Sequence, residues 1–228
     1  MALGLQMGLA GGAGGAPTYF GLWFDGVNDV VSFGDVYNFD YNTAYRIKFS
    51  FATTTAVTCA FLSKHNTSSG YFRGWVMALA AGQIRFDIIN TGTNNISIRT
   101  NATYNDGLAH TVEARYTGSG LASGVTILVD GAEVATTTLS DTLGTGTTLS
   151  PGVPLRVGMR GADDTLIYSR VIRSVQVLDG SGTVLSSWLG DSNVDSGWVD
   201  KVAAYNGTVS GSPARAVSYD GGVTWAQE

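Results

Sequence analysis

Apolar and polar residues alternate with a period of two along most of this chain. In Tyr45–Phe51, residues Ile47, Phe49 and Phe51 share one face, and Arg46, Lys48 and Ser50 share the other. Ile84, Phe86 and Ile88 stand opposite Arg85 and Asp87, and Ile96, Ile98 and Thr100 opposite Ser97 and Arg99. Val112, Ala114 and Tyr116 alternate with Thr111, Glu113 and Arg115. Val125, Ile127 and Val129 lead into an Asp130-Gly131 turn from which Ala132–Thr138 returns, and Val171, Arg173, Val175 and Val177 make one face of a later strand. One apolar and one polar face per strand predicts antiparallel sheets packed face to face. With about a dozen such segments and no helical period between them, the pattern predicts an all-β fold. Its expected form is a two-sheet antiparallel jelly-roll β-sandwich with a Gly-rich N-terminal arm. No repeat of 20–50 residues is visible, which disfavours a propeller or solenoid.

Composition strengthens this reading. The 228 residues include 44% apolar and 14% charged side chains, with 31 glycines. Charge is well below the roughly 25% of an ordinary soluble domain, and glycine is about twice its usual share. Asp outnumbers Glu by 15 to 3 and Arg outnumbers Lys by 10 to 3. Glu and Lys are the usual filling of exposed helix faces, so their scarcity argues against helices. Five Asp-Gly pairs, beginning at Asp25, Asp106, Asp130, Asp179 and Asp220, signal tight turns.

Charge and cysteine content narrow the function. Net charge is −5 with no cluster of Lys and Arg, so the electrostatic footprint of nucleic-acid binding is missing. One cysteine, Cys59, cannot form an intrachain disulfide framework and reads as a small buried hydrophobe. No apolar run approaches 18 residues. Residues 1–17 lack the basic start of a signal peptide, the first basic residue being Arg46, and read as an extended Gly-rich arm. Residues 18–190 are expected to form the sandwich, and 191–228 a C-terminal extension.

Three stretches resemble the laminin-G-like branch of the concanavalin A-like lectin and glucanase jelly rolls. They are LWFDGVNDVVSFGD (22–35), YNDGLAHTVEARYTGSGLASGVTILVDGAEV (104–134) and PLRVGMRG (154–161), the last followed by a strand over 167–178. The resemblance covers residues 20–190 in order. It departs at Ala109, where the family usually has Trp, and at Arg173 and Ser174, near which it often has an acidic pair. Some members of the family bind calcium, for which Asp25, Asn28, Asp29, Asp163 and Asp164 are the local candidates. Six to eight oxygen ligands cannot be assembled from their spacing, and turns that hydrogen-bond their own backbone explain these residues better. No metal or cofactor is therefore expected. Ser218-Tyr-Asp-Gly-Gly-Val-Thr-Trp225 resembles the Asp-box of sialidase-type propeller blades, in which Asp shapes a hairpin turn.

Catalysis finds little support. Glycoside hydrolysis uses two carboxyl groups about 5–9.5 Å apart. Glu occurs only at 113, 133 and 228, and Glu113 has no carboxylate two or four residues away. There is no Gly-x-Ser-x-Gly elbow, phosphate loop or zinc motif. Cys59 with His65 or His110 is the only possible Cys-His pairing, and His110 resembles a structural position of the family. No enzyme activity is expected.

Two functional readings result. The first is a virion structural protein, as a head decoration, fibre or tail component of a bacteriophage assembled in the host cytoplasm. Its arm would carry Leu3, Leu5, Met7 and Leu9 onto other virion proteins or copies of itself. The second is a carbohydrate-binding module or adhesin, with exposed tyrosines, chiefly Tyr41 and Tyr71, as stacking platforms. Neither reading involves nucleic acid or a membrane. Trp75 is expected to pack the core instead, and Phe72 fits either the core or the platform.

Overall fold

The strand pattern read from the sequence is realised in the computed structural model, which describes residues 19–67, 72–161, 166–189 and 198–227. In chain order the strands are β1 (Tyr19–Asp25), β2 (Val30–Ser32), β3 (Tyr45–Ala52), β4 (Cys59–His65), β5 (Gly74–Ala80), β6 (Gln83–Ile89), β7 (Asn95–Thr100) and β8 (Ala109–Tyr116). They continue as β9 (Val125–Val129), β10 (Ala132–Glu133), β11 (Thr136–Asp141), β12 (Arg156–Val157), β13 (Ser169–Asp179), β14 (Val184–Leu189), β15 (Thr208–Ser210), β16 (Ala214–Ser218) and β17 (Ala226–Gln227). All pairings between them are antiparallel. One sheet runs β10-β9-β8-β3-β13-β1-β16-β17 with β14 also on β13, and the other runs β11-β7-β6-β5-β4-β12-β2-β15. The chain is a two-sheet antiparallel β-sandwich of the jelly-roll kind.

The faces that alternate in sequence meet between the sheets. Phe49 and Phe51 of β3 pack at a tilt against Phe61 of β4, with ring centres 4.9 and 4.5 Å away, and Phe61 packs likewise against Tyr168 at 5.0 Å. Ile84, Phe86, Ile88, Ile96 and Ile98 close the same core, and Trp75 is 1% exposed within it. Phe72, for which the sequence leaves both platform and core open, is 41% exposed. The Tyr168 hydroxyl lies in the core 3.0 Å from the carbonyl of Ala52 and 3.2 Å from that of Val171.

Three features depart from the simple alternation. A bulge in β13 between Ile172 and Ser174 shifts the register on β3, so the residues Val171, Arg173, Val175 and Val177 do not share a face. Val175 and Val177 enter the core, while Val171 packs with Ala52 and Ala216 on the outer side of the sheet. One extra residue is enough to exchange the faces of a strand. The segment 132–138 is also two strands: β10 pairs with β9, after which the chain crosses to the other sheet, where β11 pairs with β7. Finally, the segment read as a C-terminal extension contributes to both sheets. There β15 pairs with β2, β16 pairs with β1, and Trp198 lies in the core at 2% exposure.

One ion pair secures the loop between β11 and β12. The Lys64 side chain is buried, and its ammonium contacts the carboxylate of Asp35 and the carbonyl of Val153. Asp35 also accepts from the Gly152 N–H at 2.7 Å and the Asn38 amide at 2.8 Å. The bond from Lys64, followed by that from Gly152, lowers the Asp35 carboxyl from 3.8 to about 2. A carboxyl lowered on folding stabilises the fold above its unfolded value, and that stabilisation is lost as pH falls from about 4 towards 2. Asp35→Asn leaves Lys64 buried without its counter-charge. The expected loss is about 2 kcal/mol in urea unfolding at pH 7, less than the roughly 3–5 of a fully buried pair because Asp35 is partly exposed. The variant's stability should also fall less steeply between pH 4 and 2 than the parent's.

Candidate functional site

The outer face of the β1–β13 sheet carries small residues where its strands converge. Ala52 of β3 and Val171 of β13 are cross-strand partners, and Val171 also faces Trp23 of β1. On the far side of β1, Gly21 faces Ala216 of β16. A Cβ on Gly21 would lie 2.9 Å from a methyl of Val171 and 3.0 Å from the Ile172 carbonyl, so this approach requires glycine. Trp23 sits between Leu22 and Phe24, both core residues, and alternation therefore sends it outward.

A second tryptophan reaches the same face from the end of the chain. The turn after β16 is built on Asp220, whose Oδ1 accepts from the Thr224 N–H at 2.8 Å, the Val223 N–H at 3.1 Å and the Ser218 hydroxyl at 2.8 Å. Hydrogen bonds from Thr224, side chain first, lower the Asp220 carboxyl to about 2. The Gly222 N–H donates to the Ser218 hydroxyl, and the indole N–H of Trp225 donates to the Gly222 carbonyl at 3.1 Å. Asp220 is thus a turn former, and the turn directs Trp225 back over Ala52, Val171 and Ala216.

Trp23 and Trp225 flank an open cleft of about 80 Å³, floored by Ala52 and Val171 and bordered by Thr53, Thr54, Gly107 and Arg170. Thr53 is committed to the fold: its hydroxyl donates to the Ser169 carbonyl at 3.2 Å and accepts from the Thr55 N–H. Thr54 is exposed. Arg170 has a left-handed backbone, with φ of 110°. Its cross-strand partner is Phe24, a core residue, so a regular strand would aim the arginine inward. Instead the guanidinium lies 4.9 Å from the centre of the Trp23 ring. Such a backbone costs about 1–3 kcal/mol in a non-glycine residue. The cation–π contact returns roughly 0.5–1 kcal/mol.

The residues singled out from the sequence have other surroundings. Tyr41 is half-buried against the core, and its carbonyl accepts the Tyr116 hydroxyl. Tyr71 lies outside the described residues, as do Leu3, Leu5, Met7 and Leu9 of the arm and Asp163 and Asp164. Asp29 is fully buried and accepts from the backbone N–H groups of Asp25 (2.8 Å) and Ser212 (2.7 Å). Asp25 caps its own turn through the N–H of Val27 at 2.7 Å. Both carboxylates thus serve backbone donors, and no cluster of three or more metal-ligating side chains occurs among the described residues.

The groups weighed for catalysis are similarly engaged. Burial raises Glu113, but hydrogen-bonded Arg115 at 2.6 Å and Arg46 at 3.5 Å outweigh it and hold the carboxyl below its usual value, unsuited to a general acid. Burial pushes the Cys59 thiol up to about 12, away from thiolate chemistry at neutral pH. His110 is held through both ring nitrogens, by Asp130 at 2.8 Å and Asp106 at 3.2 Å.

The sequence pattern singles out neither Trp23 nor Arg170, and it gives Trp225 only a place at the end of the Asp-box-like stretch. An outward Trp in the alternation of β1 was the available signal. The left-handed backbone of Arg170 has no sequence signature.

The fold is similar to that of a putative carbohydrate binding protein from Bacteroides ovatus ATCC 8483, with a TM-score of 0.61 and 11% identity over 89% of this chain and 60% of that one. It is also similar to domains LG4-5 of the mouse laminin alpha1 chain, with a TM-score of 0.54 and 16% identity over 94% of this chain and 53% of that one. The SAP-like pentraxin of Limulus polyphemus gives a TM-score of 0.50 at 12% identity, over 70% and 75% of the two chains. The chain thus spans just over half the length of the laminin structure. No family model and no curated protein matches it. These likenesses concern the fold, and nothing in them points to a virus particle.

The backbone at position 170 makes a stability prediction. Glycine in a strand is ordinarily about 0.5–1 kcal/mol worse than alanine. At a φ of 110° the order should reverse, with Arg170→Gly more stable than Arg170→Ala by about 1 kcal/mol in urea unfolding. Equal stabilities would mean that the backbone at 170 is not strained.

Proposed function

We propose that this protein is a non-enzymatic carbohydrate-binding module whose binding surface is the cleft between Trp23 and Trp225. The observation that carries the reading is the pair of half-buried tryptophans over a floor of small side chains. The C–H faces of a sugar ring pack on aromatic faces, while its hydroxyls need polar partners at the edge. Thr54 and Arg170 supply a hydroxyl and a guanidinium there. The cleft is smaller than the roughly 300–1,000 Å³ of a drug-sized pocket, which suits one sugar unit held against an open wall. Affinity for a single unit should be weak, about millimolar. Fold likeness to the Bacteroides ovatus protein agrees with this reading.

A glycan array followed by calorimetry tests it. Trp225→Ala should lower affinity for any glycan bound by at least about tenfold, the effect of losing roughly 1.4 kcal/mol. Tyr41→Ala should leave affinity within twofold, because Tyr41 packs against the core, apart from the cleft. The opposite pattern would place the site elsewhere. Absence of binding to every glycan offered would remove the reading.

A further inference from the structure

Resting on the carbohydrate reading of the cleft, we infer that Arg170 makes it selective for a sugar unit bearing a carboxylate. Three observations converge on this side chain. A charged residue occupies a position opposite core-facing Phe24, where alternation calls for an apolar one. Its backbone adopts a φ of 110°, which turns the charge out to the cleft wall. Its guanidinium then rests on Trp23, one of the two aromatic walls.

A guanidinium that meets an indole with its flat face keeps its N–H edge free in the plane of the fork. That edge matches the two oxygens of a carboxylate in a bidentate pair. No ion pair to Arg170 is present among the described residues. The nearest acidic residue in sequence to the cleft lining is Asp106, beside Gly107. Its carboxylate is engaged with His110 and with the N–H of Leu108, so it is directed to its own turn. A ring seated on Trp225 with its carboxylate towards Arg170 satisfies both walls at once. A neutral sugar would take from Arg170 a hydrogen bond without the charge pairing.

The probe is trigalacturonic acid, compared by calorimetry with its fully methyl-esterified form. Esterification removes the charge and keeps the ring and the linkages. The acid should bind at least tenfold tighter than the ester at low salt, and the advantage should shrink at 0.5 M salt, a concentration of about 4 Å screening length. Arg170→Gln should bring the ratio of acid to ester affinity to within twofold of one, because it weakens the acid far more than the ester. Arg170→Lys should restore only part of the ratio, since it returns the charge without the fork. Thermal unfolding of both variants confirms that they are folded.

Equal binding of acid and ester by the parent, with both lost in Trp225→Ala, would overturn the selectivity and leave the carbohydrate reading standing. An advantage for the acid that survives Arg170→Gln would overturn the role of Arg170. Preference for neutral oligosaccharides or for galactose 6-sulfate over the acid would overturn the carboxylate. Absence of binding to all of these sugars, and to the wider glycan array, would remove both proposals together.

Discussion

The central strand β13 must satisfy four demands along eleven residues. One edge pairs with β3 along most of its length, and the other pairs first with β1 and then with β14. Its inner face fills the core with Ile172, Val175 and Val177. Its outer face needs small or apolar groups at one end only. A regular strand has one fixed alternation and cannot meet these demands over its whole length. The bulge at Arg173 resolves the conflict by adding a residue, so that Val171 faces outward and Val175 inward. The left-handed residue Arg170 precedes it and turns a guanidinium out of a core-facing position. The outer cleft therefore follows from how β13 is fitted into the sheet.

Core and cleft are joined through Tyr168. It is fully buried, edges against Phe24 at 6.1 Å and lies beside Phe61. Its hydroxyl meets the carbonyls of Ala52 and Val171, the two residues whose side chains floor the cleft on the opposite side of the sheet. Burial raises this phenol well above its ordinary value, so it remains a neutral hydrogen-bonding group at any physiological pH. A buried hydroxyl paired in this way fixes the separation of the two strands. Gly21 adds a second constraint, because any side chain there would push β1 away from Val171 and take Trp23 with it.

Much of this architecture was legible in the sequence for a plain reason: burial on one face of a strand imposes a period of two, and β3, β6, β7, β8 and β9 each show it. The turn at Asp220 was legible too, since an Asx-type turn depends on side chains within five residues of one another. What could not be read depends on pairing across long separations. Register between β13 and β3 decides where the bulge falls, and nothing local to Val171–Val177 marks it. The crossing after β10 depends on which sheet offers an open edge, which is why Ala132–Thr138 looks like one strand. Tyr41 looked like a platform because a loop tyrosine in sequence carries no sign of the core behind it. The cleft joins residues 23, 52, 170 and 225, and no pattern in the chain unites them.

The acidic composition also has a structural explanation once the turns are seen. Asp25, Asp29, Asp179 and Asp220 each accept backbone N–H groups near the ends of strands. These carboxylates fold turns, and their number reflects the number of hairpins. A net charge of −5 would repel an anionic ligand at long range, yet the Debye length is about 8 Å at physiological salt. A carboxylate at contact distance therefore responds chiefly to the nearest charge. In this cleft that charge is Arg170, held over Trp23, while the carboxylate of Asp25, the strand partner of neighbouring Ser169, is engaged with its own turn. An overall acidic protein can in this way present a locally cationic, aromatic surface without any basic cluster in its sequence.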